Sequence, residues 1–217
     1  MKTYNYTNEY FKYRLGNDSK RIAQFDLDAK FIRQFIEKGS VCDVGCSTGE
    51  FLRRINWDGA LYGMEVNDYA ISLAKDIINF EKNIYTEKDF FDLVVFRGTI
   101  QHVENPFKML REAYSSLKPE GYLCLLAVPN TSSPLYRLKQ DLPFIEWDKV
   151  YYITDEKSLV NAIQNIGFKH ILTQKPYLET PYCSIIKDHF YFLNNIFIKS
   201  FKPHAFWGSS LSIIFQK

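Results

Sequence analysis

A short turn near the start of the chain carries the residues best suited to chemistry, in the segment VCDVGCSTGEF. Its distinctive members are Asp43, Gly45 and Gly49. Glycine lets the backbone turn tightly and approach a ligand without a Cβ in the way, and the free amides at the start of the following helix favour a carboxylate or a phosphate. The turn therefore predicts a binding site for a small charged molecule.

A second acidic residue, Glu65, ends the next predicted strand 22 residues after Asp43. A carboxylate at that place can accept hydrogen bonds from both hydroxyls of a ribose. The spacing Asp43-x-Gly45-x-x-x-Gly49 is not the G-x-G-x-x-G of a dinucleotide site. The Asp43 carboxylate would repel a pyrophosphate but accept hydrogen bonds from an ammonium group. A ligand with an amino-acid end and an adenosine end meets both demands, and that ligand is S-adenosylmethionine.

Short apolar runs alternate along the chain with helical patterns of about 10–15 residues. Strands and helices in alternation predict a parallel sheet with helices on both faces, and near-continuous apolar runs are typical of strands buried on both faces. We therefore expect an α/β fold with a Rossmann-like, doubly wound, mostly parallel seven-stranded sheet. The second helix is predicted over DYAISLAKDIINF (68–80) and a short third strand over KNIYT (82–86). The other predicted strands are SVCDVG, GALYGMEVN, FDLVVFRG, YLCLLAVPN, KHILTQKP and SSLSIIFQK.

The domain organisation predicted from this pattern is a single domain over residues 1–217. A helical or irregular lead-in covers 1–21 and a cofactor-binding core covers 22–175. An aromatic lid or insertion follows over 176–207, before a final strand over 208–217.

Composition narrows the partners and the compartment. The formal net charge is +2, which offers no strong basic excess for nucleic acid, so no nucleic-acid partner is expected. The sequence has no apolar run of about 18 residues, so no transmembrane segment is expected. The four cysteines lack paired metal-ligand spacing, which predicts reduced thiols in a cytoplasmic protein and no metal site. We leave open whether the chain forms a homodimer.

Four segments resemble those of the class I S-adenosylmethionine-dependent methyltransferases (EC 2.1.1.-). The turn segment is similar to their first motif and LYGMEVN to their second. FFDLVVFRGTIQHVENP resembles their fourth-strand motif, and LREAYSSLKPEGYLCLLAVPN the helix and strand that follow it. The resemblance covers about residues 22–175. RGTIQH, AVPNTSSPLYRL and the FWG of the tail resemble, more narrowly, a bacterial branch linked to sugar and surface-polysaccharide biosynthesis.

The resemblance implies a set of cofactor-binding residues. Val66 would flank the adenine, and the end of the fourth strand would pass under the methionine part. Asp89, beside Phe90, would take the place of the family's acidic residue near the adenine; otherwise it is a solvated turn residue. Ser47 replaces a common glycine, which is tolerable if its φ stays negative, and its hydroxyl could donate to the ligand carboxylate. The predicted set is Asp43, Gly45, Cys46, Ser47, Thr48, Gly49, Glu65, Val66, Asp89, Phe90, Arg97, Gly98, Thr99, and, with Tyr10 in a lead-in folded over the cofactor, Tyr13 and Arg14.

A histidine after the fourth strand is the candidate catalytic base. The neutral imidazole of His102 could take a proton from a substrate hydroxyl as the methyl group moves. Methyl transfer is an in-line displacement, so positioning accounts for much of the acceleration. Glu104 could orient His102 or be a solvated acid at a helix start. His189 and His204, in the predicted lid, are alternative bases.

The sequence leaves several functions open. The leading expectation is methyl transfer from S-adenosylmethionine to an oxygen, or a nitrogen, of a small or carbohydrate acceptor. The same cofactor could serve a quinone, a lipid or a tRNA base, although the low net charge speaks against tRNA. A non-catalytic module that binds a partner protein is a further alternative. A dinucleotide oxidoreductase is disfavoured by the turn pattern.

Overall fold

The computed structural model describes residues 8–14, 18–74, 79–80, 87–143, 145–193 and 205–217. Its α-helices are α1 (Asn8–Arg14), α2 (Ser19–Ile32), α3 (Glu50–Arg54), α4 (Asp68–Ser72), α5 (Pro106–Ser116), α6 (Pro134–Lys139), α7 (Glu156–Gln164) and α8 (Ile185–Leu193). Its strands are β1 (Val41–Val44), β2 (Leu61–Met64), β3 (Asn79–Phe80), β4 (Phe91–Arg97), β5 (Leu117–Pro129), β6 (Lys169–Gln174) and β7 (Ser210–Gln216). Short 3-10 helices lie at Ile100–His102 and Trp147–Lys149.

The strands form one mixed sheet in the order β3-β2-β1-β4-β5-β7-β6. Neighbouring strands from β3 to β5 are parallel, whereas β7 runs antiparallel to both β5 and β6. Six strands have four or more residues, and β3 adds two residues at one edge. The predicted α/β fold with a mostly parallel sheet is confirmed.

The central strands are buried on both faces, which explains their continuous apolar sequence. In β4, Val94 and Phe96 belong to the core cluster that includes residues of α5 and α7. Leu93 and Val95 belong to the cluster on the other face, with residues of α2 and α3. Successive strand residues point to opposite faces, so each face of β4 needs its own apolar set.

Polar side chains cap five of the described helices and fix where these begin. In α5, Asn105 Oδ1 accepts a hydrogen bond from Lys108 N at 3.0 Å, and Pro106 occupies the first helical position, where its missing N–H costs nothing. The residues that cap α2, α4, α5, α6 and α7 in this way are Asp18, Asn67, Asn105, Ser133 and Asp155.

The second helix and third strand differ from the prediction. The helix predicted over 68–80 is α4, which covers only Asp68–Ser72, and Asn79–Phe80 at the end of that span form β3 instead. The strand predicted over 82–86 lies outside the described residues. Apolar residues in Asp68–Phe80 fit a helical period, and pairing of Phe80 with Gly63 of β2 overrides that local preference.

The chain order reverses between β1 and β4, because β2 and β3 lie on one side of this pair and β5 on the other. Connections then leave the sheet in opposite directions, and a crevice opens at the carboxyl ends of these two strands. Antiparallel β7 begins at this edge, since Ser210 pairs with Pro129 at the end of β5. Within the described residues, no helix has the length and apolar character needed to cross a membrane.

Candidate functional site

A cavity of about 990 Å³ lies at this edge of the sheet, at the ends of β1, β2 and β4. It brings together eight of the residues predicted from the sequence. They are Gly45, Ser47, Glu65, Val66, Arg97, Gly98, Thr99 and His102.

The turn after β1 has three residues with positive φ. Gly45 has a φ of 76° and Gly49 one of 72°, as expected for glycines at a tight turn. A Cβ on Gly45 would lie 2.5 Å from Thr99 Cγ2, so the close approach of the turn to the end of β4 also requires glycine. Ser47 has a φ of 54°, so the condition set for a serine at this position, a negative φ, is not met. The turn retains the backbone shape of a glycine position although serine occupies it.

The Glu65 carboxylate connects the end of β2 to the glycine turn through hydrogen bonds. Its Oε2 accepts a hydrogen bond from Ser47 N at 2.9 Å. Its Oε1 accepts from Val66 N at 2.8 Å and from Asn67 N at 2.9 Å. Three backbone donors therefore hold the carboxylate at the cavity wall.

Asp43 is the most unusual ionisable group of the site. Only 2% of the residue is exposed, and its Oδ1 has no hydrogen-bond partner among the described residues. Burial raises the pKa of Asp43 to about 7; Glu65 adds to this rise, and the Arg97 guanidinium opposes it. The described lining of the cavity does not include Asp43, so the carboxyl group is a buried acceptor directly before Val44 and Gly45 of the cavity wall.

The unpaired polar atoms fit a ligand that has both an ammonium and a carboxylate group. Within the described part of the chain, Ser47 Oγ, like Asp43 Oδ1, is buried without a hydrogen-bond partner. A buried polar atom in this state costs about 1–3 kcal/mol. An ammonium group at Asp43 and a carboxylate at Ser47 would remove both costs, as the amino-acid end of S-adenosylmethionine would.

Arg97 is held at the cavity wall by a buried ion pair and an aromatic ring. Its Nε donates to Asp28 Oδ2 at 2.8 Å, and its guanidinium carbon lies 4.4 Å from the centroid of the Phe25 ring. Burial raises the pKa of Asp28, and Arg97 and the amide of Gln24 oppose that rise. Gln24 Oε1 accepts in turn from Thr180 Oγ1 at 2.7 Å, which ties the C-terminal part of the chain to α2.

The lead-in helix α1 lies at the β2 end of the cavity. Tyr10 and Phe11 line the cavity, and the Phe11 ring is 6.1 Å from that of Tyr69 at the start of α4. The predicted residues Tyr13 and Arg14 belong to α1, but their side chains lie outside the described residues.

His102 is oriented by a loop that sequence reasoning did not connect to it. Its Nδ1 is 2.8 Å from Lys149 O. A carbonyl oxygen can only accept, so Nδ1 carries the proton, and in the neutral ring Nε2 keeps its lone pair. This backbone carbonyl is therefore an orienting partner of His102. The two alternatives for Glu104, orienting His102 or acting as a solvated acid, both stay predictions.

Asp89 and Phe90 do not line the cavity as the described residues define it. They precede β4, at the edge of the sheet opposite the crevice, and Asp89 Oδ1 pairs with Lys217 Nζ at 2.7 Å. The Phe90 ring packs edge-on against Tyr62. Of the two alternatives for Asp89, the place near the adenine is wrong, because the residue precedes β4 and so lies at the amino end of the strand whose carboxyl end borders the cavity.

Cys46, Thr48 and Gly49 belong to the turn, but the described cavity wall does not include them. Cys46 is part of the core, and burial raises the pKa of its thiol, which keeps it protonated. Thr48 O accepts from Arg53 Nη1 at 2.8 Å, and Gly49 caps α3. These three residues shape the turn without lining the described cavity.

His189 lies in an aromatic cluster of the C-terminal segment. Its Nδ1 donates to Ile185 O at 2.8 Å, and its Nε2 accepts from Trp207 Nε1 at 3.2 Å. Both ring nitrogens are therefore engaged, and the described lining of the cavity does not include this residue. The other alternative base, His204, lies outside the described residues.

Several lining residues had no signal strong enough to identify them from the sequence. The first residues of β7 reach the cavity only because β7 is antiparallel, a direction that its apolar pattern does not reveal. Gln24 and Thr180 meet across the fold over a sequence separation of 156 residues. The lining residues that were missed include Gln24, Gln101, Thr180, Tyr182, Ser209, Ser210 and Ser212.

Comparison with known proteins gives the family. A model described as "Methyltransferase domain" matches residues 18–173. Phosphoethanolamine N-methyltransferase 3 of Arabidopsis thaliana is 26% identical over 150 residues, which cover 62% of this chain and 29% of that protein. Malonyl-[acyl-carrier protein] O-methyltransferase of Calditerrivibrio nitroreducens is 26% identical over 106 residues, 44% of this chain and 43% of that protein. The chain thus spans less than half the length of these curated relatives.

The fold also matches solved structures. A SAM-dependent methyltransferase from Archaeoglobus fulgidus superposes with a TM-score of 0.63 at 19% identity, over 95% of this chain and 96% of that one. This likeness extends the fold agreement beyond the residues that the family model matches. The chain belongs to the methyltransferase-domain family, and its cofactor is S-adenosylmethionine.

Proposed function

We propose that this protein transfers a methyl group from S-adenosylmethionine to an oxygen of an uncharged small molecule with several hydroxyl groups, such as a sugar. The observation that carries the proposal is the division of the cavity into two chemically different ends. Unpaired and charged groups after β1 and β2 suit the cofactor, and a neutral polar wall lies around the start of β7. His102, just after β4, belongs to the segment between these two ends.

The cofactor end uses three groups in separate roles. Asp43 accepts from the ammonium group, and Ser47 Oγ donates to the carboxylate. Glu65 accepts hydrogen bonds from the ribose hydroxyls. Its Oε2 then gives up the hydrogen bond from Ser47 N and accepts one from the ribose instead. Val66, which is 51% exposed at the cavity wall, packs on the adenine.

The acceptor end favours an uncharged molecule. Hydroxyl and amide side chains supply its polar groups: Gln24, Thr180, Tyr182, Ser209, Ser210 and Ser212. The cations of the described lining already face carboxylates: Arg97 pairs with Asp28 at 2.8 Å, Arg21 with Glu50 at 3.0 Å, and Lys108 with Glu112 at 4.0 Å. No surplus positive charge is left in this part of the structure for a phosphate or carboxylate.

The chemistry follows from the position of His102. When bound, S-adenosylmethionine supplies a methyl carbon on a positively charged sulfur, which keeps the electron pair of the broken bond. The neutral His102 takes the proton of the acceptor hydroxyl on Nε2 as the new oxygen–carbon bond forms. Lys149 O stabilises the resulting imidazolium through Nδ1–H, and the walls of the cavity hold the two molecules in line.

Two assays test the proposal. Calorimetry with S-adenosylhomocysteine measures cofactor binding, and transfer of label from S-adenosyl-[methyl-³H]methionine to a panel of methyl hexopyranosides and 6-deoxyhexopyranosides measures the reaction. We expect binding together with label in at least one glycoside. Label in a quinol or a lipid but in no glycoside would refute the sugar acceptor. Binding without transfer to any of these acceptors would instead favour a non-catalytic module.

Replacing Glu65 with glutamine should weaken S-adenosylhomocysteine binding about 20-fold. A charged acceptor makes hydrogen bonds roughly twice as strong as a neutral one, and both ribose hydroxyls lose that advantage. Asp89→Asn is the matched control, because that carboxylate lies at the opposite edge of the sheet and should leave affinity unchanged. Calorimetry at pH 8 measures both variants. Equal affinities for the two variants would contradict the role of Glu65.

Replacing Ser47 with glycine should stabilise the protein while weakening cofactor binding. The change relieves a left-handed backbone at φ 54° and removes a buried unpaired hydroxyl, together worth about 1 kcal/mol. Loss of the hydroxyl donor should lower S-adenosylhomocysteine affinity about tenfold. Thermal unfolding and calorimetry measure the two effects. A variant that is both less stable and unaltered in binding would contradict this account of the turn.

A further inference from the structure

Gln101 is a buried amide beside the proposed base. It lies in the 3-10 helix Ile100–His102, and 6% of the residue is exposed. Its Nε2 donates to Gly98 O at 3.1 Å, and because a carbonyl can only accept, this bond fixes which end of the amide carries the nitrogen. Oε1 is buried and has no partner among the residues that the structure describes. The unused atom is therefore an acceptor.

The backbone of Gln101 is fixed by the same loop that orients His102. Gln101 O accepts from Tyr151 N at 2.9 Å and from Tyr152 N at 3.3 Å, and Lys149 O holds the imidazole. Both Gln101 and His102 line the cavity. The loop therefore sets two neighbouring groups, one able to accept a proton and the other able to accept a hydrogen bond.

We propose that Gln101 Oε1 recognises the methyl acceptor by accepting a hydrogen bond from a second hydroxyl group, adjacent to the hydroxyl that is methylated. This inference rests on the proposed function. Two donor groups of the cofactor are assigned elsewhere in the proposed function, since the ammonium group faces Asp43 and the ribose hydroxyls face Glu65. The remaining acceptor atom selects molecules with neighbouring hydroxyls, such as a sugar or another polyol, over molecules with one isolated hydroxyl.

A double-mutant cycle between enzyme and acceptor tests this recognition. Wild type and Gln101→Met are assayed with a methyl glycoside that wild type methylates, and with the deoxy analogues that lack each hydroxyl next to the methylated position. Wild type should prefer the parent glycoside over one analogue by about 20-fold in kcat/KM, the effect of leaving a buried acceptor unpaired. In Gln101→Met the preference should fall below about threefold, since neither acceptor then leaves an unpaired amide.

Gln101→Glu provides the rescue, because its protonated carboxyl group can donate to Gly98 O in place of Nε2 and keeps an acceptor oxygen at the same place, so it should retain the preference. A preference that persists in Gln101→Met overturns the inference, and so does a loss of more than about fivefold in S-adenosylhomocysteine affinity, which would place the amide on the cofactor. Glycoside methylation by wild type with no discrimination between parent and deoxy analogues refutes the role of Gln101 alone. Cofactor binding with no glycoside methylation refutes the sugar acceptor, and the inference with it.

Discussion

S-adenosylmethionine should bind about tenfold more weakly for each pH unit below 7, reaching about 100-fold at pH 5, and Asp43→Asn should abolish this dependence. The pKa of Asp43 is about 7 in the free protein because the carboxyl group is buried. Below that pH the group is protonated and must lose its proton before it can accept from the ammonium group. Above about pH 8 the ammonium group of the ligand loses its own proton, so affinity should pass through a maximum. Calorimetry across pH 5–9 measures the effect.

Asp43→Asn should also lower affinity about 100-fold at pH 8, since the asparagine cannot neutralise the ammonium group. The stability of the variant distinguishes this loss from unfolding. A folded-state pKa raised from the ordinary value of 3.8 to about 7 means that native stability falls as pH rises between these values. The asparagine lacks that penalty, so the variant should unfold at a higher temperature than wild type at pH 8 while binding less cofactor. His102→Asn serves as the control and should keep the pH dependence of binding. A flat wild-type profile would contradict the role of Asp43.

The sequence predicted that residues after β1, β2 and β4 would gather at one edge of the sheet, because these residues follow strands that are apolar on both faces. Such strands end at one edge of a parallel sheet, so Asp43 in β1 and Glu65 after β2 come together without any information about distant contacts. The positive φ of Ser47 could not be predicted from the sequence, because local sterics disfavour a positive φ for serine. The bond from Ser47 N to Glu65, together with the packing of the turn against Thr99, holds that conformation.

The cavity wall around the start of β7 was not predicted, since its residues meet through long-range packing. Ser210 reaches the cavity because β7 pairs antiparallel with β5, and an apolar strand pattern contains no information on direction. Gln101 was not identified because one amide after a strand is an ordinary feature of a sequence, and only the structure shows that it is buried. Asp89 has a plausible motif position in the sequence, but it lies just before β4, at the amino end of that strand, and pairs with Lys217.

Replacing His102 with asparagine should lower kcat about 1,000-fold, within the range that general-base catalysis contributes, and leave S-adenosylhomocysteine affinity unchanged within twofold. Asparagine can still donate to Lys149 O through its Nδ2, so the loop keeps its place while the basic nitrogen is lost. His189→Asn is the matched control. Its ring is engaged by Ile185 O and Trp207 in the aromatic cluster, and kcat should stay within about twofold of wild type.

The acidity of the acceptor separates loss of a base from loss of position. Because His102→Asn lacks the group that takes the proton, its kcat should depend more steeply on the acidity of the acceptor hydroxyl than the kcat of wild type does. The same dependence in both enzymes would show that another group takes the proton. The cavity wall would then act on the reaction through positioning alone, because in-line placement of the two molecules needs no base.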